Sequence, residues 1–400
     1  MTFKVKTKGQ IEGENMLVPK LRFKEFYDDW IIYKFYDLVT ITNGQVNPND
    51  MLYCNLPHIG PGNIEKNTGR LLQYNLAKDD KLISNKYLFD EKSVIYGKIN
   101  PQFAKVCFPK FRGLCSADAY PLNPSNDKLN SAFLLYLLLN KNFTKFAISV
   151  SMRTGMPKIN REELSMYKFK VPSIIEQEKI ANFLSLLDKK IELQQRKIEA
   201  LKIYKKGLIQ KIFNDKYNNC MKIEELIFQK STRNSKNEIK DVYSVSNKDG
   251  FILQSEHFKD RMVASEDTTN YKIIENDDFA YNPARINVGS IARMKKNKNG
   301  IISPMYICFK CNEKILPEYL EYFFESPKFI YEMNKRLEGS VRMCLSYESM
   351  INIPIEVPDK KEQEKISNIL TTLDKKVYQE EKRYTKLNEL KNGLLQKMFV

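Results

Sequence analysis

The segment Glu176-Gln177-Glu178-Lys179-Ile180 recurs as Glu362-Gln363-Glu364-Lys365-Ile366, at an offset of 186 residues. Residues 176–213 align with residues 362–399 without a gap, and 18 of the 38 aligned positions are identical. Both copies follow a Val-Pro pair, which favours a strand that ends just before a helix begins. Because a fixed period indicates a repeated architecture, we interpret the chain of 400 residues as one unit used twice.

Both copies have the apolar spacing of a coiled coil. With Leu184 and Leu187 as the first a and d positions, seven of the nine seam positions are apolar in each copy. An amphipathic helix that lies on its own domain is the simpler alternative, but a heptad period matched in two copies favours helices that pack on each other. The pattern predicts an antiparallel pair of helices, each of about 40 residues and about 60 Å long.

The polar breaks in the seam suggest a register for this pair. If facing positions sum to 585, Lys205 faces Glu380 and Gln194 faces Lys391, while apolar positions face apolar positions. Polar layers of this kind lower stability and fix the register of a coiled coil. We therefore take these four residues as the predicted register residues.

The two segments that precede the helices alternate apolar runs of strand length with Gly, Pro and Asn turns. The predicted fold is α+β: two mixed α/β domains separated by two long helices, which form an antiparallel coiled coil, with a pseudo-twofold internal repeat. The predicted boundaries are a disordered tail over 1–15, a first domain over 16–172, a first helix over 173–213, a second domain over 214–358 and a second helix over 359–400.

The composition restricts the class of partner. A net charge of +16, from 65 basic and 49 acidic residues, attracts polyanions such as nucleic acid or an anionic membrane. The longest apolar run, residues 133–139, is far shorter than the about 20 residues that cross a bilayer. The start of the chain has no apolar signal core, and seven irregularly spaced cysteines fit reduced thiols. We expect a soluble, cytoplasmic polyanion binder without membrane association.

Two windows without acidic residues concentrate the positive charge. They lie between Glu91 and Asp118 and between Asp278 and Glu313, at the same place in each repeat. A surface that faces phosphates needs such charge, although a solvated strand face gives the same pattern. Arg and Asn or Gln are the usual readers of base edges, while Lys mostly holds phosphate. The candidate DNA-binding residues are Lys98, Asn100, Gln102, Lys105, Arg112, Arg153, Lys158 and Asn160 in the first domain, and Asn282, Arg285, Asn287, Arg293, Lys295, Arg336 and Arg342 in the second. For Arg285, a structural pairing with a carboxylate is equally open.

Catalytic motifs are incomplete. An adenine methyltransferase needs a Gly-rich cofactor loop and an Asn/Asp-Pro-Pro-aromatic motif, and Asn282-Pro283-Ala284-Arg285 lacks the second proline and the aromatic residue. Pro358-Asp359 stands at the wrong spacing for a Pro-Asp…Glu-x-Lys nuclease site. Cys308 and Cys311 lack the second cysteine pair of a zinc site, and the two histidines have no obvious catalytic partner. We predict a chain that is not an enzyme and holds no metal or cofactor.

Over nearly its whole length, the chain resembles the specificity subunit of type I restriction-modification systems. The resemblance is carried by Val18-Pro19-Lys20-Leu21-Arg22-Phe23 leading to Trp30, and by the two helices with their Leu-Asp-x-x-Ile/Val and Gly-Leu-x-Gln-Lys motifs. Asn282-Pro283-Ala284-Arg285-Ile286-Asn287-Val288-Gly289 is similar to segments of the family's target recognition domains.

The resemblance implies a non-catalytic subunit whose two target recognition domains each read one half of a bipartite site in double-stranded DNA. The paired helices would set the separation of the domains. Two modification subunits, with S-adenosylmethionine and the adenine methyltransferase chemistry, would dock around the helices, where Lys189-Lys190 and Lys375-Lys376 are candidate contacts or solvated charge. Restriction subunits (motor and nuclease) would join this core. The alternative is a coiled-coil scaffold whose globular halves bind protein or RNA.

Overall fold

The structure is a computed structural model. It describes residues 3–5, 18–124, 127–151, 155–215, 217, 219–247, 249–257, 267–295, 298–339 and 342–400. Most of the predicted disordered tail over 1–15 lies outside these residues. The prediction is wrong for Phe3–Val5, because these residues form a strand that pairs antiparallel with Leu21–Phe23.

The chain consists of short strands and helices with two long helices between and after them. The first part contains β1 Phe3–Val5, β2 Leu21–Phe23, β3 Ile31–Lys34, α1 Phe35–Leu38, β4 Val39–Ile41, β5 Pro57–Ile59, β6 Asn75–Leu76, β7 Tyr87–Phe89, β8 Val94–Gly97, β9 Val106–Cys107, β10 Gly113–Cys115, β11 Ala119–Pro124, α2 Ser131–Leu139, α3 Lys141–Ser151, α4 Arg161–Ser165 and β12 Lys168–Val171. The first long helix is α5 Ile174–Asn214. It is followed by β13 Cys220–Lys222, β14 Ile227–Lys230, β15 Val242–Ser246, β16 Gly250–Leu253, α6 Gln254–His257, β17 Lys272–Ile274, β18 Phe279–Tyr281, β19 Ile291–Arg293, β20 Gly300–Ile302, β21 Ile307–Cys311, α7 Pro317–Phe324, α8 Pro327–Asn334, α9 Tyr347–Ile351 and β22 Pro354–Glu356. The second long helix is α10 Lys360–Met398.

These elements form two compact units. The first unit comprises residues 1–195 and 383–400, and the second comprises residues 196–382. Each unit therefore contains one mixed α/β domain and a part of both long helices, so the borders of the units fall inside the helices and not at the predicted segment boundaries.

The two domains have the same sheet topology. The four-stranded sheets run β6-β5-β10-β7 and β4-β11-β8-β9 in the first unit, and β16-β15-β20-β17 and β14-β21-β18-β19 in the second. Each strand of the two four-stranded sheets in the first unit thus corresponds to the strand numbered ten higher. The parallel pair β5–β10 recurs as β15–β20 within otherwise antiparallel sheets. The mixed α/β fold and the internal repeat are confirmed, and the repeat extends beyond the helices into the domains.

A buried glutamine ties the start of each long helix to the domain that precedes it. Gln177 donates to the carbonyl oxygens of Lys128 (2.8 Å) and Pro172 (2.9 Å) and accepts from the Asn130 amide (2.9 Å). Gln363 makes the same bonds with Lys314 (3.1 Å), Pro358 (2.9 Å) and the Leu316 amide (2.8 Å). The bonds to Pro172 and Pro358 are buried, so each satisfies a carbonyl oxygen that would otherwise lack a partner away from water. They give a structural reason for the repeated Glu-Gln segment.

The end of each long helix packs into the aromatic core of a unit. The ring centroids of Phe399 and Phe133 lie 5.0 Å apart in the first unit, and those of Phe213 and Tyr319 lie 5.1 Å apart in the second. Both phenylalanines are buried: Phe399 is 5% exposed and Phe213 is 2% exposed. Because aromatic burial dominates core energetics, each unit is closed by a helix end from a distant part of the chain.

Within each unit the two long helices are joined by a cluster that we call the Asp–Lys–Tyr triplet. In the first unit Lys391 Nζ lies 2.6 Å from Asp188 Oδ1, the Tyr136 hydroxyl donates to Asp188 Oδ2 at 2.8 Å, and Nζ lies 5.9 Å from the Tyr136 ring centroid. In the second unit Lys205, Asp374 and Tyr322 repeat these contacts at 2.7, 2.8 and 5.0 Å. In the second unit, Lys197 of α5 contacts Glu380 of α10 while the later Lys205 contacts the earlier Asp374, so these helix segments run antiparallel.

The triplets show that the predicted register is wrong. Lys205 binds Asp374 and Glu325 and not Glu380, which instead accepts from Lys197 at 2.6 Å. Lys391 binds Asp188 and the Thr68 carbonyl and not Gln194. The contacting lysine and aspartate positions in each triplet sum to 579. Because Asp188 and Asp374 directly follow the seam residues Leu187 and Leu373, the facing seam positions sum to 578, one heptad below 585. A heptad pattern is nearly unchanged by a shift of seven residues, so apolar matching alone does not separate the two registers.

A double-mutant cycle tests this register. Lys205→Gln and Asp374→Asn should show a coupling free energy of about 1 kcal/mol in urea unfolding, because the lysine is largely buried and its partner carboxylate only partly so. The control cycle of Lys205→Gln with Glu380→Gln should show a coupling near zero. A larger coupling for the Glu380 pair would restore the predicted register.

Candidate nucleic-acid interface

In the first domain, backbone hydrogen bonds hold two chain segments side by side. The Ile159 amide donates to the Lys98 carbonyl at 3.0 Å, and the Asn100 amide donates to the Pro157 carbonyl at 2.8 Å. The Gly97 amide donates to the Lys105 carbonyl at 2.8 Å and closes the loop that follows β8. We call residues 97–105 and 155–160 the first loop pair.

The second domain contains an equivalent arrangement. The Leu345 amide donates to the Pro283 carbonyl at 3.1 Å, and the Asn282 amide donates to the Ser290 carbonyl at 3.0 Å. We call residues 282–290 and 342–346 the second loop pair. Both pairs end in a helix N-cap, Asn160 for α4 and Ser346 for α9. The bonds therefore place Pro283 at the position of Lys98 and Ser290 at the position of Lys105.

The first loop pair brings together most of the candidates predicted in its domain. These are Lys98, Asn100, Gln102, Lys105, Lys158 and Asn160. Lys158 is exposed and has no ion-pair partner among the described residues, and the Lys98 ammonium lies 5.5 Å from the Tyr120 ring centroid. Gln102 is exposed and its amide donates to Asn100 Oδ1 at 3.4 Å. The surface thus offers cations and amides together.

Asn160 and the two candidates outside the first loop pair, Arg112 and Arg153, have different outcomes. Asn160 Oδ1 accepts from the Glu163 amide at 2.8 Å, so this side chain caps α4, which gives it a structural role. Arg112 is exposed but lies elsewhere, beside a pocket of about 170 Å³ that Asp90 and Asn123 also line. Arg153 lies outside the described residues.

The second loop pair carries four of the candidates predicted in its domain. Arg285 and Asn287 are exposed on the loop that follows β18, and Arg342 is exposed on the opposite segment. Within the described part of the chain, neither arginine side chain has an ion-pair partner. Asn282 is half-buried, and its Oδ1 accepts from the Ala284 amide at 3.1 Å. Arg285 and Arg342 are therefore the free guanidinium groups of this surface, so the alternative of a structural fork at Arg285 is not observed.

The prediction that Arg293 binds DNA is contradicted. Its side chain is only 9% exposed, and it binds Asp277 at 2.7 Å, Glu321 at 3.0 Å and also Glu318. Burial alone would lower the pKa of Arg293, but the surrounding carboxylates outweigh it and raise the pKa. The guanidinium is thus fully occupied in holding β19 to α7.

Two more cations of the second domain are neutralised in the same way. Lys295 Nζ lies 2.7 Å from Glu321 Oε1, and Arg336 NH1 lies 2.5 Å from Glu332 Oε2. The window between Asp278 and Glu313 is therefore free of acids in sequence but not in space, because α7 and neighbouring turns supply carboxylates. Among the candidates predicted in this domain, Arg285 and Arg342 are the cations without a carboxylate partner within the described residues.

One cation at the first loop pair was missed from the sequence. Lys66 is exposed, and its ammonium lies 3.9 Å from the centroid of the Phe103 ring. It follows Glu65 and lies outside the acid-free window, so no charge pattern indicated it. Only the fold brings it to the loop that contains Phe103.

The cysteines do not form a metal site in the described part of the chain. No group of three or more His, Cys, Asp or Glu residues there could hold a metal ion. Burial raises the pKa of Cys308 and of Cys311 to about 12. The described helices also include none that is long and apolar enough to cross a membrane.

Comparison with known proteins identifies the family. The family model described as the type I restriction modification DNA specificity domain matches residues 27–202 and again residues 220–391. The chain belongs to this family, and its function is that of a DNA specificity subunit. Subunits of this family are non-catalytic, in agreement with the incomplete catalytic motifs.

Individual relatives agree with this family. The chain is 35% identical over 153 residues to the EcoDI specificity subunit of Escherichia coli, an alignment that covers 38% of this chain and 33% of that subunit. The MjaVIII specificity subunit of Methanocaldococcus jannaschii is 22% identical, with 93% of this chain and 94% of the relative covered. The solved S subunit from M. genitalium has the same fold, with a TM-score of 0.57 at 18% identity over 96% of this chain and 99% of that chain.

Replacement of Arg293 should separate structure from recognition. Arg293→Gln is expected to lower the free energy of unfolding by about 3 kcal/mol, because three carboxylates would lose their shared counter-ion. Arg285→Gln, the matched control, should change it by less than about 0.5 kcal/mol. Urea unfolding measures both, and equal effects would contradict the assignment of Arg293 to structure.

Thiol titration tests the cysteine environment. Cys220 is exposed, although partial burial and then Glu356 raise the pKa of its thiol, whereas Cys308 is fully buried and its pKa is raised to about 12. With a chromogenic disulfide reagent, Cys220→Ser should remove one equivalent from the fast phase and Cys308→Ser should remove none. Loss of fast reactivity in Cys308→Ser would show that the strand β21 opens readily.

Proposed function

We propose that each domain is a target recognition domain that reads one half of a bipartite, asymmetric site in double-stranded DNA. The observation that carries this proposal is the pair of equivalent loop pairs with different side chains. The same backbone frame presents Lys98, Lys105 and Lys158 in the first domain but Arg285 and Arg342 in the second. Because the two loop pairs have equivalent backbone hydrogen bonds but different side-chain donors, they are suited to two different half-sites.

The residue types assign different tasks to the two surfaces. Arg285 and Arg342 present planar guanidinium groups, which bind guanine edges in a bidentate manner. The lysines of the first loop pair favour phosphate contacts, and the amides of Asn100 and Gln102 favour adenine edges. Base discrimination would then come mainly from arginines in one half-site and from amides in the other.

The long helices would set the spacing between the half-sites. The Asp–Lys–Tyr triplets and the buried glutamines support this role, since they fix each helix against a domain and against the other helix within a unit. A fixed spacing converts two short half-sites into one interrupted target.

The partners follow from the family and remain part of the proposal. Two modification subunits that carry S-adenosylmethionine would dock around the helices, where Lys189-Lys190 and Lys375-Lys376 are exposed, and restriction subunits would join this core in the cytoplasm. The chain itself would hold no cofactor. No feature of the described residues favours the alternative of a scaffold for protein or RNA.

Modification mapping tests the proposal. Host DNA that carries this chain together with its methyltransferase partner should contain modified adenines within one interrupted, asymmetric sequence. In vitro, the complex should bind a duplex with that sequence about 10³-fold or more tightly than a scrambled duplex. Modification without a common sequence, or equal binding to all duplexes, would overturn the proposal.

Arginine variants test the division between half-sites. Arg285→Gln should lower discrimination among bases of the second half-site by about 1–3 kcal/mol and leave the first half-site unchanged. Lys298→Gln is the matched control, because its ammonium is already paired with Asp241 at 2.5 Å. Competition binding against single-base variants of the target measures both. Equal losses in the two half-sites would contradict the assignment of this loop pair to one of them.

A further inference from the structure

Two lysines from different loops of the first domain converge on one place. The Lys105 side chain is half-buried and its ammonium donates to the Pro61 carbonyl. The Lys66 ammonium stands over the Phe103 ring, and the Asn67 amide donates to the Phe103 carbonyl at 3.0 Å. The two loops are therefore joined by a backbone bond, with a lysine on each.

No carboxylate balances this pair within the described residues. Glu65, next to Lys66 in the chain, is occupied by Arg70 at 3.3 Å and by the Thr68 hydroxyl at 3.0 Å. Burial and then the Lys66 ammonium lower the pKa of Lys105. Two cations held close together without a counter-ion repel each other, and a bound anion would remove that repulsion.

The backbone around the lysines is held in unusual conformations. Asn67, Asn100 and Ala104 have positive φ angles of 61°, 52° and 37°. Alanine rarely adopts this region, because its β-carbon approaches the following carbonyl group, and Ala104 is 3% exposed. Strain of this kind persists where the surrounding structure holds it in place, and it concentrates at ligand sites.

The described residues of the second domain contain no equivalent of this pair. Its backbone bonds place Ser290 at the position of Lys105, with the hydroxyl 3.5 Å from the Val245 carbonyl that it donates to. Ser290 is 2% exposed, so the equivalent position has neither a charge nor access to solvent. The feature therefore distinguishes two domains that otherwise share a frame.

We propose that Lys66 and Lys105 form a phosphate clamp that holds the DNA backbone beside the first half-site. The clamp rests on the proposed function and adds to it a task that only the first domain performs. Its ligand is a backbone phosphodiester and not a base, so it contributes affinity without sequence preference. The Phe103 ring and the Pro61 carbonyl orient the two ammonium groups before DNA arrives, which lowers the entropy lost on binding.

The salt dependence of binding tests the clamp. For the double variant Lys66→Gln/Lys105→Gln, the slope of log affinity against log salt should become shallower by about 2, since each phosphate contact releases about one counter-ion. The ratio of affinities for the target and for a duplex scrambled in one half-site should stay as in the unchanged chain. Lys168→Gln removes one positive charge, as each clamp substitution does, from an exposed position on β12 and should leave the slope unchanged.

The outcomes separate the clamp from the function on which it rests. If the full-length chain in its complex prefers no duplex, the proposed function fails. If it prefers one duplex but the double variant keeps the original slope, only the clamp is wrong. The clamp is also wrong if Lys168→Gln changes the slope as much as one clamp lysine does, because that result would indicate a general effect of net charge.

Discussion

The structure of each unit depends on one contact between a largely buried lysine and a partly exposed carboxylate, the Asp–Lys pair of the triplet. Lys391 is 5% exposed, and its ammonium is shared by Asp188 and the Thr68 carbonyl. A charge in this environment must be paired, because loss of one partner leaves the other buried without compensation. The tyrosine hydroxyl holds the carboxylate in place, so a domain helix and both long helices meet at a single point. Any slip of one helix along the other would break this contact in both units.

This constraint explains what the sequence could and could not predict. The repeat predicted the fold class, the antiparallel helices and their lengths, because 18 identities in 38 positions place the same helix twice. The register was beyond the apolar pattern, since a seam of Leu and Ile is nearly identical after a shift of seven residues. The polar residues contain the missing information. Tyr136 precedes Asp188 by 52 residues, and Tyr322 precedes Asp374 by the same number. A repeated separation between polar residues in unlike domains is a signal of contact that helical periodicity does not contain.

The candidate nucleic-acid interface was predicted only in part, because the sequence does not show which residues are neighbours in space. The sequence segments without acidic residues indicated the loops after β8 and β18. They did not show which cations are free and which are paired with carboxylates. Arg293 and Arg285 lie eight residues apart in the same window, yet one is held by three carboxylates and the other is exposed. The carboxylates come from α7 and from a turn beside β18, so only the tertiary structure shows which charge remains available. Lys66 illustrates the opposite case, in which an unremarkable local sequence reaches the surface through packing on Phe103.

In the loop pairs, main-chain hydrogen bonds hold the shape of the loops, and exposed side chains are available for recognition. Lys98 and Pro283 have unlike side chains, yet each accepts the corresponding amide through its backbone carbonyl. Because the bonds that define the frame come from the main chain, the side chains at these positions contribute little to its stability. Replacement of an exposed side chain on the frame therefore changes the donors offered to a base edge without a large loss of folding free energy. Residues such as Asn160 and Arg293 differ, since their side chains are themselves part of the frame. Changes in target preference should accordingly occur at positions whose side chains make no structural contact, and the two domains already differ at such positions.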